Sequence, residues 1–307
     1  MAFQRIVNRA LPDGSTAKVH PFHLSLEGLR SNLLCRDEED YDVVEKNMFV
    51  SAWTSNVLVI THVVMSSHGH MGVLAPDIGH VERLADTLKQ RCSMHIARKY
   101  GEHNVLLGTS ADIQLLDSDW YVRNVLAYIP RNVVELGVKV EEYPWCSYRA
   151  MFAGGTGRDG VRSVAALSRR EKESLFHTHT DLSRVPWQLD RDGHLVPVTC
   201  CDWQYLESAF GNDQAFFLKT IGSVNCAEME QKLVTNLRKW RPDSEFLNTV
   251  DELAQRWFQK KPFELSPDQK TRLVPYLYRC YRTSVPQLAR CMRMEREEID
   301  HILGIKR

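Results

Sequence analysis

Two histidines one residue apart follow an apolar, β-branched run, and this stretch most constrains the fold of the chain. Residues 56–65 are predominantly apolar and predict a buried strand, and His68 and His70 come shortly after it. Side chains two residues apart on an extended strand project from the same face. Both imidazoles can therefore bind one metal ion, although a His-x-His pair also arises by chance among twelve histidines.

The segments around this stretch alternate between strand and helix patterns. Residues 20–27 predict a first strand, and the acidic residues 37–40 open a helix whose N-terminal dipole they suit. Residues 80–100 predict an amphipathic helix, and residues 105–107 and 113–116 predict short strands. The order βαββαβ with a further helix predicts an α+β, ferredoxin-like fold, in which an antiparallel sheet carries helices on one face.

The helix predicted to begin near Ser118 carries two stripes. The polar stripe runs through Tyr121, Asn124 or Val125, Tyr128 and Asn132, so Tyr128 and Asn132 share a face. Taken alone, Tyr128 is most simply a half-buried aromatic residue. Pro130 lies between the two and removes a backbone hydrogen bond, which predicts a shift in their geometry. The apolar stripe, which predicts the core contact, consists of Val122, Val125, Leu126, Ile129 and Val133.

The composition fits a packed protein of about two domains, because 307 residues exceed what one core usually holds. The sequence has no N-terminal apolar segment and no apolar run of about 18 residues, which predicts a cytoplasmic protein without membrane contact. Its 39 basic and 39 acidic side chains cancel, but residues 270–307 hold nine basic and four acidic ones. Eight cysteines without a Cys-x-x-Cys pair predict reduced, mostly buried thiols.

Two motifs resemble one protein family. Residues 65–70 follow the pattern Met-x-x-His-x-His, and residues 143–148 read Tyr-Pro-Trp-Cys-Ser-Tyr. Between them, the text from Tyr128 to Asn132 is similar to a family motif that begins Tyr-Ile and continues to an asparagine. Over residues 20–150 the chain resembles the REP-associated tyrosine transposases, which are single-tyrosine HUH endonucleases.

The resemblance implies a role for each matched residue. Tyr128 corresponds to the nucleophile, and His68, His70 and Asn132 correspond to ligands of Mg²⁺ or Mn²⁺. The implied activity is cleavage and rejoining of palindromic, REP-like hairpins of single-stranded DNA through a 5′-phosphotyrosine. The expected protein is a nucleoid-associated monomer or homodimer with an HUH palm as its catalytic domain.

Several positions depart from the family pattern. Gly69 stands where relatives have a bulky residue, Ser67 replaces an asparagine, and Glu27 replaces an arginine, with Arg30 close by. Residues 107–110 replace a basic and aromatic stretch. These departures leave two other hypotheses open. One is a domesticated, catalytically weak protein that binds DNA palindromes, and the other is an ordinary metal phosphodiesterase in which Tyr128 is only structural.

The remaining sequence divides the chain into a catalytic domain at residues 1–152, a middle region at 153–262 and a C-terminal module at 263–307. The middle region predicts a glycine-rich linker, a hairpin at 185–196 and helices, without a catalytic cluster. The C-terminal module predicts three helices with helix-turn-helix spacing, although Arg293 occupies the usual glycine position, and a plain three-helix module is the alternative. The residues that follow this spacing are Leu288, Ala289, Met292, Ile299 and Ile302. The predicted DNA-binding residues are Arg30, Arg131, Arg282, Arg290, Arg293 and Arg296.

Overall fold

A computed structural model describes most of the chain as an α+β protein with a mostly helical C-terminal part. The described residues are 3–26, 34–103, 105–106, 111–135, 140–152, 161–223, 243–280 and 283–304. No helix within these ranges is long and apolar enough to cross a membrane. The chain forms two compact units, of which the first holds residues 1–26, 37–64 and 69–224, and the second holds residues 27–36, 65–68 and 225–307.

Five of the described strands form one antiparallel sheet in the first unit. They are β1 (Val7–Ala10), β2 (Thr16–Leu26), β3 (Leu58–Val64), β4 (Gly69–Ala75) and β5 (Ala111–Leu115). The order is β1-β2-β4-β3, and β5 pairs with the C-terminal half of β2. Strands β3 and β4 form an antiparallel hairpin. Strand β1 was not predicted, and Val105 and Leu106 form a turn rather than the predicted strand.

Three long helices accompany the sheet: α1 (Glu38–Thr54), α2 (Ile78–Tyr100) and α3 (Asp119–Glu135). The side chains of Asp37 and Asp77 accept hydrogen bonds from the first turns of α1 and α2, as N-caps do. Helix α2 ends at Gly101, whose φ of +70° suits glycine. All five residues of the predicted apolar stripe on α3 are buried, which confirms that stripe as core.

The helices lie on both faces of the sheet, and the prediction of helices on one face is wrong. A Cβ atom built on Gly69 would meet the methyl group of Met48 on α1, whereas one built on Gly72 would meet Leu126 and Ile129 on α3. Because these two glycines are three residues apart on β4, they face opposite sides. Helix α1 therefore covers one face and α3 covers the other.

The rest of the first unit is built from short elements. The segment at 140–152 contains two short 3₁₀ turns, Val140–Glu142 and Ser147–Ala150. The described region at 161–223 also belongs to the first unit. Its elements are β6 (Arg162–Ser163), α4 (Arg169–Phe176), β7 (Gln188–Leu189), α5 (Pro197–Cys200), α6 (Trp203–Ala209) and α7 (Gln214–Ser223).

In the second unit, the described residues from 243 onward form helices around their own apolar core. The helices are α8 (Asp243–Phe258), α9 (Pro267–Cys280), α10 (Val285–Met292) and α11 (Arg296–Leu303), with a 3₁₀ turn at Pro262–Glu264. The three predicted C-terminal helices are thus confirmed, and Ser284 caps α10 through a bond from the backbone N–H of Gln287. Helix α8 contributes Phe246, Val250, Leu253 and Ala254 to this core.

Candidate active site

The α3 face of the sheet collects polar side chains from three adjacent strands. Directly paired residues on antiparallel strands project to the same face, so the strand register shows which residues are neighbours. Ser25 on β2 pairs with His70 on β4 and with Asp112 on β5. His23 pairs in the same way with Gly72 and Gln114. Two cross-strand rows result, namely His70–Ser25–Asp112 and Gly72–His23–Gln114.

His23 and His70 form a buried pair at the centre of this face. The Nε2 atom of His23 lies 3.3 Å from Nδ1 of His70, and the rings stack with centroids 5.3 Å apart. Each residue is only 2% exposed. Burial lowers the pKa of His23 to about 4, so its ring is neutral at pH 7. Because Nδ1 of His70 faces His23, the opposite nitrogen, Nε2, is the one that points away from this partner.

Tyr128 of α3 lies edge-on against both imidazole rings. Its ring centroid is 5.3 Å from that of His70 and 6.3 Å from that of His23. The structure therefore brings together two residues predicted from separate motifs, His70 and Tyr128. It adds His23, which sequence reasoning placed on a strand without assigning it a role. The signal that could have found His23 is its period-two alternation with Ser25 on a strand that pairs with the histidine strand.

Gly72 allows α3 to approach the sheet at this point. A Cβ atom there would lie 2.9 Å from Cδ2 of Leu126 and 3.0 Å from Cγ2 of Thr61, both on fully buried residues. Real Cβ atoms rarely come so close to neighbouring carbons. The missing side chain at position 72 thus sets the distance between the sheet and the helix that carries Tyr128.

A second polar network lies beside the histidine pair. The hydroxyl of Tyr121 donates to Oε1 of Gln114, and Nε2 of Gln114 donates to Oδ2 of Asp112 at 2.7 Å. Burial raises the pKa of Tyr121, and the charges of Asp112 and Asp117 add to this effect. Tyr121 precedes Tyr128 by two helical turns, so the network occupies the same side of α3. The sequence pointed to this stripe on α3 but not to its partners on β5.

Asn132, the predicted third ligand, lies one turn after Tyr128 on α3. The helix continues through Pro130 to Glu135. The Nδ2 atom of Asn132 donates to the backbone oxygens of Tyr128 at 2.9 Å and Ile129 at 3.2 Å. With its nitrogen held by the helix backbone, this amide can offer a metal only its oxygen. The ligand role of Asn132 stays a prediction.

His68 lies one residue before β4 rather than within it. Its Nδ1 atom is 3.1 Å from the hydroxyl of Ser67, and its backbone oxygen accepts from Met65 N–H at 2.8 Å. Its side chain is partly exposed. Ser67, which replaces the asparagine of the family pattern, therefore supports the His68 ring in this turn.

The Mg²⁺ or Mn²⁺ predicted for this site stays a prediction. Within the described ranges, no group of three or more His, Cys, Asp and Glu side chains is arranged to hold a metal. Of the predicted ligand types, an amide oxygen and waters are donors that Mg²⁺ and Mn²⁺ prefer, whereas imidazole nitrogens bind divalent first-row metals in general and Mn²⁺ the most weakly of them. The Oγ atom of Ser25 is fully buried and has no hydrogen-bond partner among the described residues. A buried hydroxyl beside His70 is consistent with a site that takes a polar guest.

The motif at residues 143–148 lies along β3. The hydroxyl of Tyr143 donates to the backbone oxygen of Val64 at 2.7 Å, and Val64 N–H donates to the oxygen of Trp145 at 3.0 Å. The Oγ atom of Ser147 accepts from His62 N–H at 2.9 Å. Residues 143–148, which match the transposase motif most closely, thus provide hydrogen-bond partners for backbone groups on the outer edge of β3.

The departure at Gly69 has a structural explanation. The methyl group of Met48 on α1 occupies the space that a side chain at position 69 would need. The side chain of Met48 on α1 therefore fills the space that the bulky residue of the family pattern would need at position 69. Glu27, Arg30, Arg282 and residues 107–110 lie outside the described residues.

The predicted DNA-binding arginines differ in what they contact. Arg131 donates to the backbone oxygen of Ile221 at 3.0 Å, near the C-terminal end of α7. Arg290 forms a bidentate ion pair with the fully buried Asp243, at 2.6 and 3.1 Å, and its side chain is only 9% exposed. The DNA contact predicted for Arg290 stays a prediction, and in this structure its guanidinium group is bound to Asp243 in the core of the second unit. Arg293 is exposed and Arg296 is partly exposed.

Comparisons with known proteins find no relative of this chain. No family model, no curated protein and no solved structure matches the chain.

Proposed function

We propose that the chain is a metal-dependent, HUH-type endonuclease and strand transferase that acts on hairpins of single-stranded DNA. This proposal is supported by the contact of the Tyr128 ring with His70 and His23 on the α3 face of the sheet. A nucleophilic tyrosine must face a phosphate held beside the metal-binding histidines, and these residues come from separate motifs 58 positions apart in the sequence.

The chemistry follows from the side chains present. His68, His70 and Asn132 would hold Mg²⁺ or Mn²⁺, which supplies Lewis-acid polarisation of the scissile phosphate and stabilises charge on the leaving oxygen. The phenolic oxygen of Tyr128 attacks phosphorus, the P–O3′ bond breaks, and a 5′-phosphotyrosine forms. The phenol loses its proton and the departing 3′ oxygen gains one. No water is consumed, so a second 3′-OH can reverse the step and rejoin strands.

His23 acts in this proposal as a positioning residue. Its contact with Nδ1 of His70 would fix the orientation of that ring as a metal ligand, and such supporting partners are typically worth 10- to 100-fold in metal affinity. His23→Leu should weaken Mn²⁺ binding by that factor in calorimetry without DNA. His23→Gln, which retains a hydrogen-bonding group, should restore part of the affinity. Equal Mn²⁺ affinity in wild type and His23→Leu would refute this role.

The finer description of the fold belongs to the same proposal: an HUH palm followed by a helix-turn-helix module. Arg293, at the position usually given to glycine, has φ of +51° and ψ of +57°, the left-handed conformation that such a turn requires. Leu288, Ala289, Met292 and Ile299 are buried as the spacing predicted. Among the predicted arginines that the structure describes, Arg293 is the exposed one and the candidate for phosphate contact.

Covalent capture tests the catalytic proposal. Wild-type protein is incubated with hairpin single-stranded DNA and Mg²⁺ or Mn²⁺, denatured, and examined for a protein–DNA adduct. Tyr128→Phe should abolish the adduct and spare DNA binding, whereas the matched variant Tyr121→Phe should retain it. His68→Ala combined with His70→Ala should prevent cleavage.

The outcomes separate the three hypotheses. An adduct that persists in Tyr128→Phe means that another residue is the nucleophile. Tight hairpin binding without any adduct across a range of hairpins favours the domesticated DNA-binding protein. Multiple turnover that releases free 5′-phosphate ends, undiminished in Tyr128→Phe, favours a phosphodiesterase in which Tyr128 is structural.

A further inference from the structure

A pocket of about 330 Å³ lies in the first unit and shares no residue with the His70–Tyr128 site. It is bounded by the N-terminal hairpin, by α1 and by the segment at 186–204. Its volume lies at the lower end of the range for small-ligand pockets, about 300–1,000 Å³. The segment at 186–204 is outside residues 20–150, so the transposase resemblance does not account for this pocket.

Aromatic rings form the inner wall. The rings of Trp53 and Trp187 meet edge to face with centroids 5.8 Å apart, and Phe49 lies 6.0 Å from Trp187. Trp187 and Phe49 are buried, whereas Trp53 is partly exposed. Trp53 therefore presents ring surface to a guest, while the two buried rings hold the wall rigid. Flat, rigid ring surfaces of this kind favour a planar ligand.

A fixed ion pair supplies the polar part of the lining. The Nε atom of Arg9 donates to Oδ2 of Asp202 at 2.6 Å, and Oδ1 of Asp202 accepts from the backbone N–H of Tyr205 at 3.1 Å. The Asp202 carboxylate is thus held by the start of α6 and orients Arg9. The Arg9 side chain remains one-third exposed. Its Nη1 atom donates to the backbone oxygen of Asn8 at 3.4 Å, and the guanidinium group has further N–H donors on Nη1 and Nη2.

We propose that this pocket binds a guanine base. A guanine ring is planar, so it can stack on Trp53, and its adjacent O6 and N7 atoms are both acceptors that match a forked guanidinium donor. Adenine offers a donor and an acceptor at the corresponding positions and fits Arg9 less well. The base comes either from a free nucleotide or from an unpaired position in a DNA strand. Only the second source rests on the proposed function.

Binding measurements distinguish the two sources. Calorimetry is performed with guanosine 5′-monophosphate, with adenosine 5′-monophosphate, and with hairpin DNA carrying one unpaired guanine or an abasic site at that position. Binding of the free guanine nucleotide identifies a nucleotide pocket. Discrimination against the abasic hairpin without nucleotide binding identifies an unpaired DNA base.

Variants tie the binding to this pocket. Trp53→Ala should weaken the guanine-dependent binding by about 5- to 150-fold, the usual effect of removing one stacking ring. Trp53→Phe, which keeps a ring, should lose less, and Arg9→Lys should reduce the preference for guanine over adenine. Trp120→Ala is the matched control, because Trp120 is an exposed tryptophan on α3 outside the pocket.

The proposal has a defined failure. It is overturned if neither probe shows guanine-dependent binding, if adenine binds equally well, or if a folded Trp53→Ala binds like wild type. Thermal melts verify that each variant is folded. Nucleotide binding requires no Tyr128, so Tyr128→Phe should leave it unchanged. Loss of DNA cleavage in that variant therefore reports on the proposed function and not on the pocket.

Discussion

Replacement of Gly72 by alanine should displace α3 from the sheet and reduce both stability and Tyr128 reactivity. The added methyl carbon would lie 2.9 Å from Leu126 and 3.0 Å from Thr61, on two sides at once. Both neighbours are fully buried, so neither side chain can turn into solvent. Overpacking a well-filled core typically costs about 1–3 kcal/mol.

Thermal melts of the full chain at pH 7 measure this cost. A destabilisation of 1 kcal/mol lowers the melting temperature by about 2–4 °C in a domain of roughly 150–250 residues, so Gly72→Ala should melt about 2–12 °C lower. Gly222→Ala is the control, because the same methyl group there would meet nothing within 4 Å at an exposed position of α7. That variant should be neutral or slightly stabilised, since alanine favours helix over glycine.

The same variant tests whether the position of α3 matters for chemistry. A displacement of about 1 Å between reacting groups can cost about 100-fold in rate. At a temperature where Gly72→Ala is fully folded, this variant should therefore form the covalent DNA adduct more slowly than wild type. The loss of stability cannot explain a slower rate under that condition. If Gly72→Ala melts like Gly222→Ala, the close approach of α3 to β4 does not depend on the missing side chain.

Three further predictions concern other parts of the chain. Arg290→Ala leaves the buried carboxylate of Asp243 without its charge partner, so urea unfolding should show a loss of about 3–5 kcal/mol; a loss below 1 kcal/mol would contradict a buried pair. The hydrogen bond to Asp42 raises the pKa of His194, so this contribution is complete below pH 6.5 and is lost as the pH rises through the folded-state pKa. Melting temperatures of wild type should decline slightly as the pH rises above 6.5, whereas those of His194→Gln should not show this decline. Burial raises the pKa of Cys146 to about 12, so iodoacetamide should modify it only after denaturation, as peptide mass spectrometry would show.

Local sequence signals predicted the elements of the fold well. The acidic start of α1, the apolar stripe of α3 and the burial of Leu288 and Ile299 all depend on residues within a few positions of one another. Such patterns report which side of a helix is apolar and where the helix begins. They do not report which face of a sheet the helix covers, so the position of α3 opposite α1 was missed.

The partners of the site residues were less predictable, because they are distant in sequence. His23 reaches His70 across 47 positions through the register of β2 and β4, and register depends on the whole sheet. Arg290 reaches Asp243 across 47 positions in the second unit. An arginine in a basic helix and an arginine in a buried ion pair look alike in the sequence, and only the buried acid distinguishes them.

The space around β4 shows how the site can tolerate a departure from the transposase pattern. Position 69 faces α1 and position 72 faces α3, so the two glycines have unrelated consequences. At position 69 the methyl group of Met48 fills the volume of the missing side chain, and the α1 face stays packed. At position 72 the volume is taken by Leu126 and Thr61, which brings α3 close to the sheet. A bulky residue at position 69 would thus compete with Met48 for space on the α1 face of the sheet. His70 and His23 contact the ring of Tyr128 on the opposite, α3 face. The absence of a bulky residue at position 69 therefore removes no contact from the α3 face.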